Sequence, residues 1–83
     1  MADYEKCLAG LGADSQNRQV FNYMVKHGSI SPVEAFIDLG IYRLSARISN
    51  LRERGIPIHT ERVTVTSEKG ATRHFARYSL IND

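Results

Sequence analysis

The chain has 83 residues, 42% hydrophobic and 24% charged, the makeup of one small globular domain over 1–83 with a modest core. No run approaches the roughly 18 apolar residues of a membrane span, no basic start with a long apolar stretch marks a secretory signal, and one cysteine, Cys7, leaves no internal disulfide and no cysteine-built zinc site. The net charge of +2 hides a split: residues 1–42 hold three basic against five acidic side chains, residues 43–83 eight against four, and seven of those eight are arginines.

In chain order, residues 1–14 read either as a frayed start or as a short helical turn packed on the body. Asp14 or Ser15 is placed to cap a helix running to about His27. Val20, Phe21, Met24 and Val25 supply its buried face, and Gly28 stops it. Ser29–Ile30 has room for a single β-bridge. Ser31-Pro32-Val33-Glu34 is a capping box: Ser31 caps, Pro32 suits the first helical position, and Glu34 sits three residues after the cap. The helix it opens is short, with Ala35, Phe36 and Leu39 on its apolar side and Gly40 at its end. Ile41 anchors the turn.

A third helix is expected from about Tyr42 to Arg54, stopping at Gly55. Within it Arg43, Arg47, Asn50 and Arg54 are spaced i, i+4, i+7, i+11. At 100° per residue they fall in a sector of roughly 60°. Leu44, Ile48 and Leu51 form an apolar stripe about 100° away. Such a helix packs by one edge and offers cations on another.

Ile56 to Thr66 is β-branched and alternating, and Arg73 to Leu80 alternates again, with His74, Ala76, Tyr78 and Leu80 on one side. Ser67 to Ala71 is the turn between them, with Gly70 free to take positive φ. Pro57 cannot donate to a ladder and belongs at the strand start or on an edge. The fold class is therefore α+β: three helices followed by a two-stranded antiparallel β-hairpin. That is the winged helix-turn-helix order, with the hairpin as wing and the third helix as recognition helix.

The block Gly28 to Glu61 resembles a family of small helix-turn-helix proteins common in phages and prophages. The shared pattern is G-S-I-[ST]-P-x-E-A (Gly28, Ser29, Ile30, Ser31, Pro32, Glu34, Ala35), an L-G-I/C turn, R-L-x-A-R-I (Arg43, Leu44, Ala46, Arg47, Ile48) and G-x-x-I-x-T-E (Gly55, Ile58, Thr60, Glu61). Leu51, Arg52 and the tyrosine of Ala76 to Leu80 match as well. Phe36 stands where a small residue is usual, and the stretch from Gly40 to the end of the recognition helix looks about two residues short, which implies a tight turn. The resemblance implies a phage or prophage transcriptional regulator in the cytoplasm of a bacterial host cell, with an excisionase-like architectural role close behind.

Double-stranded DNA is the expected partner. Arg43 and Arg47 suit guanine edges or phosphates in a major groove. Tyr42 suits a phosphate or thymine methyl, Ser45 and Ser49 allow close approach, Asn50 suits adenine, and Arg54 suits a phosphate or the helix dipole. Lys69 and Arg73 on the wing suit a minor groove or phosphates. Arg52, about 180° from Arg43, is expected on another surface, and Arg62 and Arg77 on the outer face of the hairpin. A homodimer would use the hairpin edge or the segment around Leu8 and Leu11. The alternative reading is a phage-encoded winged helix that binds a host protein and inhibits or adapts host machinery such as a defence system. His27, His59 and His74 are scattered and no nucleophile or phosphate-loop pattern occurs, so neither catalysis nor a cofactor is expected.

Overall fold

A computed structural model describes residues 4–12 and 15–81 of the chain. Among them are four helices and one hairpin: α1 (Glu5–Leu8), α2 (Gln16–His27), α3 (Pro32–Leu39), α4 (Leu44–Glu53), β1 (Ile58–Thr66) and β2 (Thr72–Leu80). The N-terminal segment contributes one helical turn beyond the three expected helices. Its Leu8 is buried in the core and Leu11 packs against it, which removes Leu8 as an open dimer surface. Asp14 lies outside the described residues; the α2 cap is Ser15, whose Oγ accepts from the Arg18 amide at 3.2 Å.

Local chemistry sets the remaining boundaries. Gly28 takes φ 89° after α2, and its amide returns to the Met24 carbonyl at 2.8 Å. Both arms of the α3 capping box form: the Glu34 amide donates to Ser31 Oγ, and the Ser31 amide donates to Glu34 Oε1. α4 closes in a Schellman arrangement, with Gly55 N–H on Arg52 and Ile56 N–H on Leu51. Gly55 has φ 95°, and the apolar pair that accompanies this motif, Leu51 with Ile56, is buried. Ile56 is spent on this closure, so β1 begins at Ile58, after Pro57.

The recognition helix starts later than expected. Gly40 is left-handed at φ 69°, and the Ile41 amide reaches back to the Ala35 carbonyl at 3.0 Å. Ile41 is buried, which holds Tyr42 and Arg43 in a non-helical approach. Four residues, Gly40 to Arg43, separate the two helices in place of a tight turn, and Arg43 is the N-cap.

The core gathers Val20, Phe21 and Met24 from α2, Ala35 from α3, Leu44, Ile48 and Leu51 from α4, and Leu8, Ile30, Ile41, Ile56 and Ile58. Val25 and Phe36, expected inside, are 57% and 51% exposed. The seats nearest the core on those helices go to Met24 and Ala35. Tyr23 ties α2 to α3 by donating to Asp38 Oδ2 at 2.6 Å, and that bond, with burial next, pushes its pKa up to about 12.

The strands pair antiparallel in a register that sets Thr60 against Tyr78 and Val63 against Phe75. The turn holds Ser67 N–H on the Ala71 carbonyl at 2.8 Å, with Gly70 at φ 83°. Ile30 forms the anticipated bridge: it and Tyr78 exchange both backbone hydrogen bonds at 2.8 Å. Tyr78 and Leu80 pack on the core at the base of the hairpin. At nine residues per strand the wing is about 30 Å long, so its tip stands clear of the helices.

Candidate nucleic-acid interface

α4 is fastened by Leu44, Ile48 and Leu51 and turns Ser45, Ser49, Arg52 and Glu53 outward. Tyr42 and Arg43, just ahead of it, are exposed. Arg43 makes no side-chain cap, so the first amides of α4 have no side-chain acceptor there. The outward line of α4 is therefore small and polar at Ser45 and Ser49, with a tyrosine and an arginine at its entrance and the charged Arg52 and Glu53 at its far end.

The arginine stripe divides. It faces the flank occupied by α1 and α2, and its members meet those helices to different extents. Asn50 donates from Nδ2 to Asn17 Oδ1, in the first turn of α2, at 3.5 Å. Arg54 reaches the N-terminal segment, where Nη1 donates to the carbonyls of Ala9 at 2.9 Å and Cys7 at 3.3 Å. Arg47 is half-buried, and its Nε is buried without a hydrogen-bond partner among the described residues. Arg43 alone is exposed and at the open end.

Arg52, on the other side of α4, is the joint between helix and wing. Its Nη2 donates to the Ile58 carbonyl at 2.9 Å and to Thr60 Oγ1 at 2.6 Å, and its guanidinium carbon lies 6.0 Å from the centre of the Tyr78 ring. Its half-turn offset from Arg43 was the only sequence signal for this separate role.

The two faces of the hairpin follow from the register and the period of two. Ile58, Thr60, Arg62 and Thr64 share one face with Leu80, Tyr78, Ala76 and His74. The base of that face packs on the body, so Arg62 continues the surface that α4 meets instead of lying on the outer face. His74 Nδ1 is 3.1 Å from Thr64 Oγ1. Arg77 is on the opposite face with Val63 and Phe75, yet it is not a free outer cation. The Ile30 bridge brings the start of α3 beside β2, and Arg77 Nη1 donates to Ser29 Oγ at 3.0 Å and Glu34 Oε1 at 3.1 Å. Lys69 and Arg73 are exposed at the wing tip.

Among the described residues no helix is long and apolar enough to cross a membrane. No curated protein and no solved structure matches the chain. Residues 15–83 match the family model of the winged helix-turn-helix domain, which spans α2, the α3–α4 pair and the hairpin. Domains of this kind are typically DNA-binding modules without catalysis. The chain belongs to the winged helix-turn-helix domain family, and that membership implies DNA binding.

Proposed function

We propose that the protein binds double-stranded DNA sequence-specifically and acts as a phage or prophage transcriptional regulator in the bacterial cytoplasm. The observation that carries the binding mode is the open N-terminal end of α4. Tyr42 and Arg43 are exposed there, no side chain caps the helix, and Ser45 and Ser49 leave the outward line low. Backbone amides at such an end receive phosphate oxygens. Arg43 pairs with a guanine edge, and small side chains let the helix seat deeply in a major groove.

Arg47 serves from the flank of the helix as a phosphate contact, its stem half-buried against the body. Asn50 and Arg54 act one step back: their contacts to Asn17, Cys7 and Ala9 set how α4 is presented. Lys69 and Arg73 at the tip, with Arg62 along the wing face nearest α4, reach neighbouring phosphates or the minor groove. The regulatory role and the phage setting rest on the family resemblance of Gly28 to Glu61.

Titration of duplex DNA by fluorescence anisotropy at several salt concentrations tests the reading. Binding is expected to fall steeply with salt. Arg43→Ala is expected to weaken the preferred sequence by about 5- to 150-fold, the worth of one bidentate base contact, while lowering non-specific binding far less. Lys69→Ala with Arg73→Ala is expected to weaken all sequences alike and reduce the salt slope by about two. Absence of duplex binding at low salt overturns the proposal.

A further inference from the structure

α3 carries three large apolar side chains outside the core: Val33 is 61%, Phe36 51% and Ile37 70% exposed. Their i, i+3, i+4 spacing makes one stripe about 100° wide. The Phe36 ring lies against the Tyr42 ring, with centroids 5.1 Å apart, and Tyr42 is 83% exposed. The apolar surface therefore runs from α3 to the entrance of α4. Both carboxylates of α3 are held off this stripe. Glu34 is bound by Arg77 and the Ser31 amide, and Asp38 accepts from Tyr23. Single exposed apolar side chains are ordinary, whereas a contiguous group marks a contact surface.

We propose that this stripe is where two copies of the chain meet, α3 of one against α3 of the other, when they occupy neighbouring sites on a duplex. Three observations select a second copy. The stripe is uncharged, so it meets itself about a two-fold axis without like-charge repulsion, while a phosphate or a charged peptide finds nothing there to pair with. The Phe36–Tyr42 contact sets it beside the end of α4 assigned to DNA, so a copy seated there lies alongside on the same duplex. Its size fits a DNA-assisted contact: α3 has eight residues, about 12 Å of helix. A contact confined to two helices of that length buries less than the roughly 1,200–2,000 Å² of a stable interface. The contact is therefore weak in free solution and is strengthened by the effective concentration that a shared duplex supplies.

The use of this face on DNA rests on the proposed function; the self-contact does not, and the experiment separates them. The full chain is sedimented at concentrations up to ~1 mM, within the range of effective concentrations a short tether supplies. The expected result is a mass rising toward the dimer for wild type and staying monomeric for Ile37→Glu and for the milder Val33→Ser. Both sites are exposed, so unchanged thermal melts are expected. In parallel, a duplex that holds one copy is compared with one twice as long. The second copy is expected to bind the longer duplex roughly tenfold more tightly than the first, and Ile37→Glu to abolish that gain without changing binding to the short duplex. Self-association that Ile37→Glu removes, with no duplex binding at all, supports the self-contact while sinking the DNA reading. Duplex binding without any gain for the second copy, or a dimer that neither variant disturbs, overturns the assignment of this face.

Discussion

Arg77 Nη1 donates to Glu34 Oε1 across 3.1 Å, and the same oxygen accepts the Ser31 amide at 2.9 Å. One carboxylate oxygen thus completes the start of α3 and ties β2 to it. Together with Arg52 on the other side, it fastens each strand of the wing to a different helix of the helix-turn-helix pair. The wing is positioned by two arginines, Arg52 exposed and Arg77 half-buried.

Because Glu34 serves both cap and ion pair, its loss is expected to cost more than loss of Arg77. Glu34→Ala is expected to lower unfolding free energy by about 1–2 kcal/mol. Arg77→Met removes the half-exposed pair, the Ser29 bond and the guanidinium's 6.0 Å approach to the Phe75 ring, and is expected to cost about 0.5–1 kcal/mol. Urea unfolding of both single variants and the double variant measures this. Equal costs would mean the capping arm carries no weight.

Arg52→Met is expected to loosen the wing at its base. The variant keeps the apolar stem but loses the bonds to the Ile58 carbonyl and Thr60 Oγ1, at a cost of about 1 kcal/mol for an exposed group. Amide hydrogen exchange in β1 near Ile58 and Thr60 is expected to speed up while α2 amides stay as protected as global stability allows. Uniform acceleration across the chain would contradict a local joint.

Adjacent positions on α2 provide a test of the core. Met24→Ala is expected to cost about 2–5 kcal/mol, since Met24 is buried, whereas Val25→Lys on the solvent side is expected to stay within about 0.5 kcal/mol of wild type. Thermal unfolding distinguishes them; a large loss from Val25→Lys would place that face against something.

Tyr23 is expected to ionise near pH 12 in place of the usual value of about 10, chiefly because its hydroxyl donates to Asp38. A folded-state pKa raised above the unfolded one means that the stabilisation is complete below pH about 10 and is lost as pH rises toward 12. Ultraviolet titration of wild type against Tyr23→Phe isolates this tyrosine, and Asp38→Asn is expected to bring its transition down. A difference spectrum that titrates with ordinary tyrosine would rule out the bond in solution.

The N-terminal ends of α2 and α3, the glycine stops, the wing turn and the Ile30 bridge were legible along the chain because each depends on chemistry within a few residues. Ser31 with Glu34 caps wherever the helix lies, and Gly28, Gly40, Gly55 and Gly70 supply the positive φ their turns require. The order of those elements, and with it the winged helix family, needs little more. The periodicity of α4 likewise separated the Leu44, Ile48 and Leu51 edge from the arginine stripe. It could not say how the stripe would be presented, because a 3.6-residue repeat fixes angles between side chains and leaves unstated which neighbour fills each flank. That was decided by packing: α1 and α2 lie along the stripe, binding Arg54 and Asn50 and half-covering Arg47, while the buried Ile41 delays the helix and leaves Arg43 at its open end. Packing likewise spared Val25 and Phe36 from the core, since Met24 and Ala35 occupy the inner side of their helices.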